Sequence, residues 1–293
     1  MAALAHKPSF GILRCPVCRR DLSPVGRALF CEHGHNFDLA RSGYVNLLAG
    51  RGRRPASGGD SGAQLQHRDA FLASAHFDFI GDAILQQAGA MTRATSASRL
   101  HILDAGCGTG YHLARIARGT GARSYGLGLD LSKAAARIAS LHFRDLAFAV
   151  ADIWADWPVR SGSVELLINV FAPKNFAEMA RVLTADGLLA VAYPGEQHLV
   201  ELHREFGLMG MRKGKSRHYG DTLQRFFGEI RLERFRRRSA LDPKDVMNAI
   251  CMGPSATRVP GKTVVPAGTR TVTFEIEILF ARRPVRADAN VSA

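Results

Sequence analysis

Between residues 100 and 193, short apolar runs alternate with segments of helical periodicity. The runs cover residues 100–105, 124–129, 146–150, 164–170 and 188–193, and the helical segments cover residues 111–118, 133–141 and 176–183. Parallel strands that are buried on both faces read as short continuous apolar runs, and helices between them form the crossovers. The alternation therefore predicts βαβ units and a parallel sheet covered on both faces, which is an α/β architecture.

The flanking regions show two other patterns. Apolar residues at helical spacing between residues 63 and 90, such as Leu65 and Leu72, predict one or two helices. In residues 271–280, every second residue from Val272 to Ile278 is apolar, and Thr and Glu lie between them. This alternation predicts a half-exposed edge strand or an antiparallel strand.

The first 62 residues differ from the rest of the chain. Residues 14–48 are rich in Cys, His and Gly and lack a long helical period. A domain of this size usually needs disulfides or a bound metal to be stable. Residues 49–62 are rich in Gly, Ser and Arg without apolar periodicity, which predicts a flexible basic linker. We therefore expect a small domain at 1–48, a linker at 49–62 and a larger domain at 63–293.

Composition narrows the class of protein. The 293 residues are 46% hydrophobic, which is enough to build a full core. No apolar run approaches the roughly 18 residues that a membrane-spanning helix needs. The first 13 residues lack the features of a secretory signal, so we expect a cytoplasmic protein. Five cysteines, three of them between residues 15 and 31, favour a metal site in a reducing compartment over a disulfide framework.

The charge is strongly basic. Thirty-nine Lys and Arg against 26 Asp and Glu give a net charge of +13. Because the positive residues are clustered, we favour a nucleic-acid partner over a basic surface kept for solubility. The clusters are Arg51, Arg53 and Arg54; Arg212, Lys213, Lys215 and Arg217; and Arg231, Arg234 and Arg236 to Arg238.

The cysteine-rich region carries a candidate zinc site. Cys15 and Cys18 are separated by two residues, and Cys31 and His35 form a second pair of ligands. This spacing suits tetrahedral zinc, with His33 as the competitor for the fourth position. The alternative is three buried free cysteines beside surface histidines. Four protein ligands leave no place for a reactive water, so the predicted zinc is structural.

A glycine turn follows the first predicted strand. Asp104 is followed by Gly106, Gly108, Thr109 and Gly110, and a helical segment begins at residue 111. A dinucleotide fingerprint would need glycine at position 111, and a P-loop would need a Gly-Lys-Ser/Thr sequence. The alternating glycines after an acid instead have the pattern of Rossmann-like S-adenosylmethionine-dependent methyltransferases. In that pattern, the glycines admit the amino-acid portion of the cofactor and the acid orients it.

Two further acids end later strands. Asp130 closes the second apolar run, at the distance from the glycine turn where a ribose-binding carboxylate is expected. Asp152 follows the third run and would suit the adenine amino group. Each acid alone could be an ordinary solvated residue at a strand end, but the ordered set favours a nucleoside site.

Together these motifs resemble the RlmA family of 23S rRNA (guanine-N1)-methyltransferases. The matching segments are Cys15-Pro-x-Cys18, His35-x-Phe37-Asp38, residues 43–48, Gly59-Asp-Ser61, Arg68 with Phe71-Leu72, residues 104–110, Phe171-Ala-Pro173, and residues 194–202 around His198. The resemblance implies a class I methyltransferase fold with a mostly parallel seven-stranded sheet and a small N-terminal zinc-binding domain. It also implies S-adenosylmethionine and one structural zinc as cofactors.

The resemblance further implies the reaction. The family methylates N1 of one of two neighbouring guanines, position 748 or 745, in a hairpin of 23S rRNA, and part of it confers macrolide resistance. His198 matches a histidine that the family places near the cofactor, and Phe77 matches an aromatic that is usually Tyr. A homodimer is compatible with an rRNA substrate of this size.

The end of the fourth apolar run indicates which kind of atom is methylated. Residues 169–173 lack the Asn-Pro-Pro-Tyr/Phe motif of amino-group methylases, so a ring nitrogen is favoured. Phe171 could stack on the guanine or could be buried packing. No residue emerges from the sequence as the base that removes the N1 proton. The other hypotheses are a small-molecule methyltransferase of an antibiotic pathway and a non-catalytic zinc protein that binds RNA.

Overall fold

The computed structural model describes residues 7–48, 60–94, 100–120, 124–208, 214–253 and 268–285. The N-terminal part contains a 3-10 helix (Pro8–Ile12), β1 (Ser23–Val25), β2 (Ala28–Phe30), β3 (Asn36–Asp38) and β4 (Val45–Asn46). The helices that follow are α1 (Gly62–Ala73), α2 (Asp78–Ala94), α3 (Tyr111–Gly119), α4 (Lys133–His142), α5 (Phe176–Val182), α6 (Val200–Phe206), α7 (Lys215–Leu223) and α8 (Pro243–Cys251). The remaining strands are β5 (Leu100–Ala105), β6 (Ser124–Asp130), β7 (Ala147–Val150), β8 (Val164–Val170), β9 (Leu183–Pro194), β10 (Phe227–Leu241) and β11 (Arg270–Pro284).

The central sheet has eight strands in the described ranges, in the order β10-β11-β9-β8-β5-β6-β7-β4. The strands from β9 to β4 pair in parallel, and β11 is antiparallel to both of its neighbours. Seven strands come from residues 100–284, as predicted. The eighth, β4, is a correction: it comes from the N-terminal region, and two residues are too short to show a period.

The two faces of the sheet bury separate hydrophobic clusters. Ile102 and Ile168 point to the face covered by α2 and α3, while Leu103 and Leu167 belong to the cluster on the opposite face. Side chains alternate between faces along a strand, so a central strand needs apolar residues at every position to fill both clusters. This requirement explains the continuous apolar runs in the sequence.

The N-terminal region packs on the second of these faces. Phe10 and Leu29 lie in the same buried cluster as Leu103. Backbone pairing reinforces the contact, because Val45 of β4 pairs with Ala149 of β7. The three-stranded sheet β1-β2-β3 therefore shares its core with the larger sheet. The division of the chain at residue 48 stays a prediction.

The start of α1 shortens the predicted linker. Residues 49–59 lie outside the described residues, so the flexible linker remains a prediction for them. Ser61, in contrast, caps α1: its hydroxyl accepts from the Gln64 amide, and the Gln64 side chain accepts from the Ser61 amide. This reciprocal capping box fixes the beginning of the helix at Gly62.

The C-terminal strand is antiparallel, as one of the two predicted alternatives stated, but it is neither an edge strand nor half-exposed. β11 lies between β9 and β10, and Phe274, Ile276 and Ile278 are fully buried. The edge strand on this side of the sheet is β10, which the sequence pattern did not predict. Its exposed arginines are charged groups of the kind that protect a sheet edge from pairing with other chains. Among the described residues, no helix is long and apolar enough to cross a membrane.

Candidate cofactor site and metal centre

The predicted glycine turn connects β5 to α3 at the carboxyl end of the sheet. Gly106, Gly108 and Gly110 have φ of +85°, +53° and +83°, a region that side chains disfavour. A Cβ on Gly106 would also lie 2.3 Å from Cβ of Ala172, in the loop after β8. The turn therefore needs glycine for both its backbone and its packing, and it brings the β8 loop against the predicted cofactor site.

Asp104 lies at the end of β5 under this turn. Its side chain is only 2% exposed, and its Oδ1 atom has no hydrogen-bond partner among the described residues. Burial, reinforced by the negative charge of Asp130, raises the pKa of the Asp104 carboxyl well above its usual range. A buried carboxylate without a partner is costly, so the site calls for a cationic ligand. The ammonium group of the methionine portion of S-adenosylmethionine meets this requirement.

Asp130 ends β6 beside the same turn. Its Oδ2 atom accepts from the Gly108 amide at 2.8 Å, and its Oδ1 atom accepts from the Ser132 amide at 2.8 Å. Burial raises the pKa of the Asp130 carboxyl, and these two amides oppose that rise. The carboxylate is thus fixed in orientation, and each oxygen keeps a second lone pair that suits a ribose hydroxyl.

Asp152 and Thr109 complete the predicted set. Asp152 follows β7 at the same edge of the sheet, and its Oδ1 atom accepts from the Trp154 amide at 2.9 Å. Thr109 is buried in the turn, and its hydroxyl has no partner in the described parts of the chain. The structure therefore brings the carboxyl ends of β5, β6 and β7 together, and the roles of these residues toward adenine and methionine stay predictions.

Phe77, Phe171 and His198 meet in one aromatic group. The Phe77 ring centroid lies 5.3 Å from Phe171 and 5.9 Å from His198, and Phe171 and His198 are 6.2 Å apart. Burial lowers the pKa of His198 to about 3, so the imidazole is neutral, and its Nδ1 atom has no partner in the described ranges. Phe171 is 39% exposed and has φ of +55°, a strained conformation for a bulky residue.

The cysteine-rich region places four ligand atoms together. Those of Cys15, Cys18, Cys31 and His35 all lie within 4.8 Å of one another. Sγ of Cys18 is 3.6 Å from Sγ of Cys31, which is 3.3 Å from Nδ1 of His35. Bond lengths of zinc to sulfur and nitrogen give separations of about 3.5–3.8 Å between tetrahedral ligands. The residues therefore fit one zinc ion, and His33 instead contacts Glu32.

Comparisons with known proteins agree with this geometry. Residues 13–54 match the family model "RlmA, N-terminal", and residues 102–187 match "Methyltransferase domain". The 23S rRNA (guanine(748)-N(1))-methyltransferase of Streptomyces fradiae is 38% identical over 83% of this chain and 85% of its own length. A Micromonospora griseorubida protein, named for the same class of enzyme, is 38% identical over 93% of this chain and 97% of its own length.

The chain belongs to the RlmA family of 23S rRNA (guanine-N1)-methyltransferases. A Bacillus subtilis relative, also named for this class, is 31% identical over 94% of this chain and 98% of its own length. Both predicted modules of the RlmA family are thus present in one chain. The predicted S-adenosylmethionine-dependent methyltransferase fold and the structural zinc site are confirmed.

Sequence reasoning missed the role of Asn169 at the end of β8. Its side-chain amide donates to the Ala105 carbonyl at 2.7 Å and to the Pro173 carbonyl at 2.9 Å. Asn169 therefore ties the loop after β8 to the strand that carries the glycine turn. The sequence showed only that a motif of other methylases was absent here, and a hydrogen bond across the sheet leaves no local signal.

The structure describes only part of the predicted basic clusters. Arg51, Arg53, Arg54, Arg212 and Lys213 lie outside the described residues. On β10, Arg234 pairs with Glu277 at 2.8 Å, and the Arg237 guanidinium lies over the Phe79 ring at 4.7 Å, so part of this cluster makes contacts within the fold. Arg236 and Arg238 are exposed on the same strand.

Proposed function

We propose that this chain transfers a methyl group from S-adenosylmethionine to N1 of a guanine in a hairpin of 23S rRNA, at the position equivalent to guanine 748. The observation that carries the proposal is the unpaired, buried Asp104 beneath a glycine turn, in a chain that also has the zinc cluster of the RlmA family. The position is inferred from the Streptomyces fradiae relative.

The residues described above would have different roles in the reaction. Asp104 would hold the ammonium group of the cofactor and Asp130 its ribose hydroxyls, and the cofactor when bound supplies an electrophilic methyl group. A guanine must leave its stack to reach an enclosed site. The exposed ring of Phe171 offers a face on which the displaced base can stack. Holding the two reactants in line supplies much of the rate, and the N1 proton leaves as the methyl arrives.

Phosphate contacts would orient the rRNA without reading its sequence. A cavity of about 660 Å³ beside the zinc cluster is lined by several basic side chains. They are Arg14, Arg19, Arg20 and Arg160. Three of them also form ion pairs, Arg19 with Asp156, Arg20 with Glu32 and Arg160 with Asp21, and phosphates would compete with these acids. Exposed Arg236 and Arg238 on β10 add positive charge at the edge of the sheet. Binding that depends on such contacts weakens steeply as salt rises.

Primer extension on methylated RNA tests the proposal. A transcript of the hairpin is incubated with the purified protein and S-adenosylmethionine, and reverse transcriptase is expected to stop beside the modified guanine, because a methyl on N1 blocks Watson–Crick pairing. The Asp104→Asn variant serves as the negative control. Methylation of small molecules without any stop in the RNA would contradict the proposal and favour a small-molecule methyltransferase.

Three finer properties belong to the same proposal. We infer that the enzyme acts in the cytoplasm, where rRNA is available, that it forms a homodimer, and that the modification contributes to macrolide resistance. Light scattering during gel filtration measures the mass in solution, and a mass of one chain would refute the dimer. Growth on macrolides with and without the gene tests the contribution to resistance.

A further inference from the structure

The predicted cofactor carries a carboxylate, and none of the residues predicted to bind this cofactor has a positive charge. Asp104, Asp130 and Asp152 are acids, and they suit the ammonium group, the ribose hydroxyls and the adenine amino group respectively. A carboxylate in the same cleft needs hydrogen-bond donors and, because three acids lie nearby, a positive charge. Thr109 and His198, the other polar side chains of the predicted set, are uncharged, so the positive charge must come from outside that set.

The backbone of the glycine turn is largely committed to other partners. Four of the five N–H groups of residues 106–110 donate inside the fold. Two of them bind the Leu129 carbonyl at 2.8 and 3.0 Å, one binds the Asp130 side chain at 2.8 Å, and one binds the Cys107 carbonyl at 2.9 Å. A phosphate-binding loop would leave such N–H groups free for its anion. The turn therefore has few donors left for the carboxylate of the cofactor, and it has no positive charge.

Arg68 on α1 lies beside this turn. A Cβ built on Gly108 would be 3.9 Å from Nη1 of Arg68, and this guanidinium nitrogen is one of the neighbours nearest to the turn. The positive charge of Arg68 also acts on Asp130, where it opposes the rise in pKa that burial causes. The guanidinium thus lies within electrostatic reach of both the turn and the predicted ribose carboxylate.

Two chain segments hold Arg68 in place. Its Nη1 atom donates to the Asp60 carboxylate, and its Nη2 atom donates to the Met252 carbonyl at 3.0 Å. A guanidinium has five N–H donors. These two partners are the ones found among the described residues, so N–H donors of Arg68 remain for a ligand. The side chain is also 30% exposed, so a ligand can reach it. Its planar fork matches a carboxylate in geometry.

We propose that Arg68 binds the carboxylate of the methionine portion of S-adenosylmethionine, and that Asp60 is a positioning residue that fixes the guanidinium. The inference rests on the proposed function, since it assumes this cofactor. It gives the segment before α1 and the end of α8 an indirect part in cofactor binding, because Asp60 and Met252 hold Arg68.

Calorimetry with two ligands tests the proposal. The full-length protein is titrated with S-adenosylmethionine and with its decarboxylated analogue, which keeps the ammonium, sulfonium and adenosine groups. A charge-assisted hydrogen bond of the usual strength corresponds to about a 10- to 100-fold change in affinity. The wild type should prefer the carboxylated ligand by about this factor. The Arg68→Ala variant should lose the preference and bind the analogue as the wild type does.

Matched variants separate ligand binding from helix packing. His67→Ala, which removes the 2.9 Å contact of Nδ1 with Oδ1 of Asn248, loosens the same α1–α8 interface one residue away and should keep the preference. Asp60→Asn should reduce the preference only in part. Circular dichroism checks folding, and Arg68→Gln, which keeps most of the side chain, replaces Arg68→Ala if that variant unfolds.

Each outcome decides one question. An equal loss of affinity for both ligands in the Arg68 variants would overturn the proposal, because Arg68 would then support the pocket as a whole. A wild type that binds both ligands equally would overturn it as well. A wild type that binds neither ligand would instead overturn the proposed methyltransferase function.

Discussion

Replacement of Gly106 by alanine measures how tightly the cofactor turn is constrained. The substitution forces a side chain into a φ of +85°, which costs about 1–2 kcal/mol for a residue other than glycine. It also places a methyl group 2.3 Å from Cβ of Ala172, an overpacking that costs about 1–3 kcal/mol. We therefore expect Gly106→Ala to lower the free energy of unfolding by about 2–5 kcal/mol.

Gly207→Ala is the matched control. Gly207 has φ of +60° at the end of α6, and a Cβ there would meet nothing within 4 Å. This variant should lose only the backbone term of about 1–2 kcal/mol. Urea denaturation followed by circular dichroism gives both values. If the two variants lost equal stability, the packing of the β8 loop on the turn would not be the constraint that the structure indicates.

Three further predictions concern titration and metal binding. Because burial raises the pKa of the Asp104 carboxyl, the folded state retains this proton, and stability falls as pH rises above about 4. Denaturant titrations should therefore show Asp104→Asn gaining stability over the wild type as pH rises, and calorimetry should show a loss of cofactor affinity. A difference in stability that does not change with pH would contradict this. Elemental analysis should find about one zinc per chain in wild type and in His33→Ala, but none in His35→Ala, whereas retention in both variants would exclude His35 as a ligand. The pKa of about 3 predicts that His198 stays neutral down to pH 5, and NMR titration of the ring nitrogens near the ordinary value of about 6.5 would disprove it.

The strands that the sequence predicted best are those buried on both faces. The run at residues 164–170 coincides with β8, and that at 100–105 with β5, because a central strand must be apolar at every position. β10 was missed for the opposite reason: most of its residues are exposed or half-buried, and its arginines have the appearance of a charged surface cluster. The two residues of β4 pair with β7, and Val45 also bridges Leu39, but a strand of two residues shows no period of its own.

The same limits apply to the site. Glycines and acids at strand ends leave a local signal, so the residues around the turn could be predicted from spacing. The contacts of Asn169 and Arg68 depend on segments that are distant in sequence, such as Met252. Arg68 appeared only as part of a family match, and Asp60 within a predicted linker. Patterns along the sequence do not reveal residues that act through tertiary contacts.

The addition of β4 to the sheet affects how this protein can be divided in the laboratory. A truncated fragment that begins after the zinc-binding region would lack β4 and expose the backbone edge of β7. It would also uncover the apolar face on which Phe10 and Leu29 pack. Bare strand edges and large apolar surfaces promote aggregation. Efforts to obtain a minimal soluble catalytic fragment should therefore retain the N-terminal residues, even where RNA binding is of no interest.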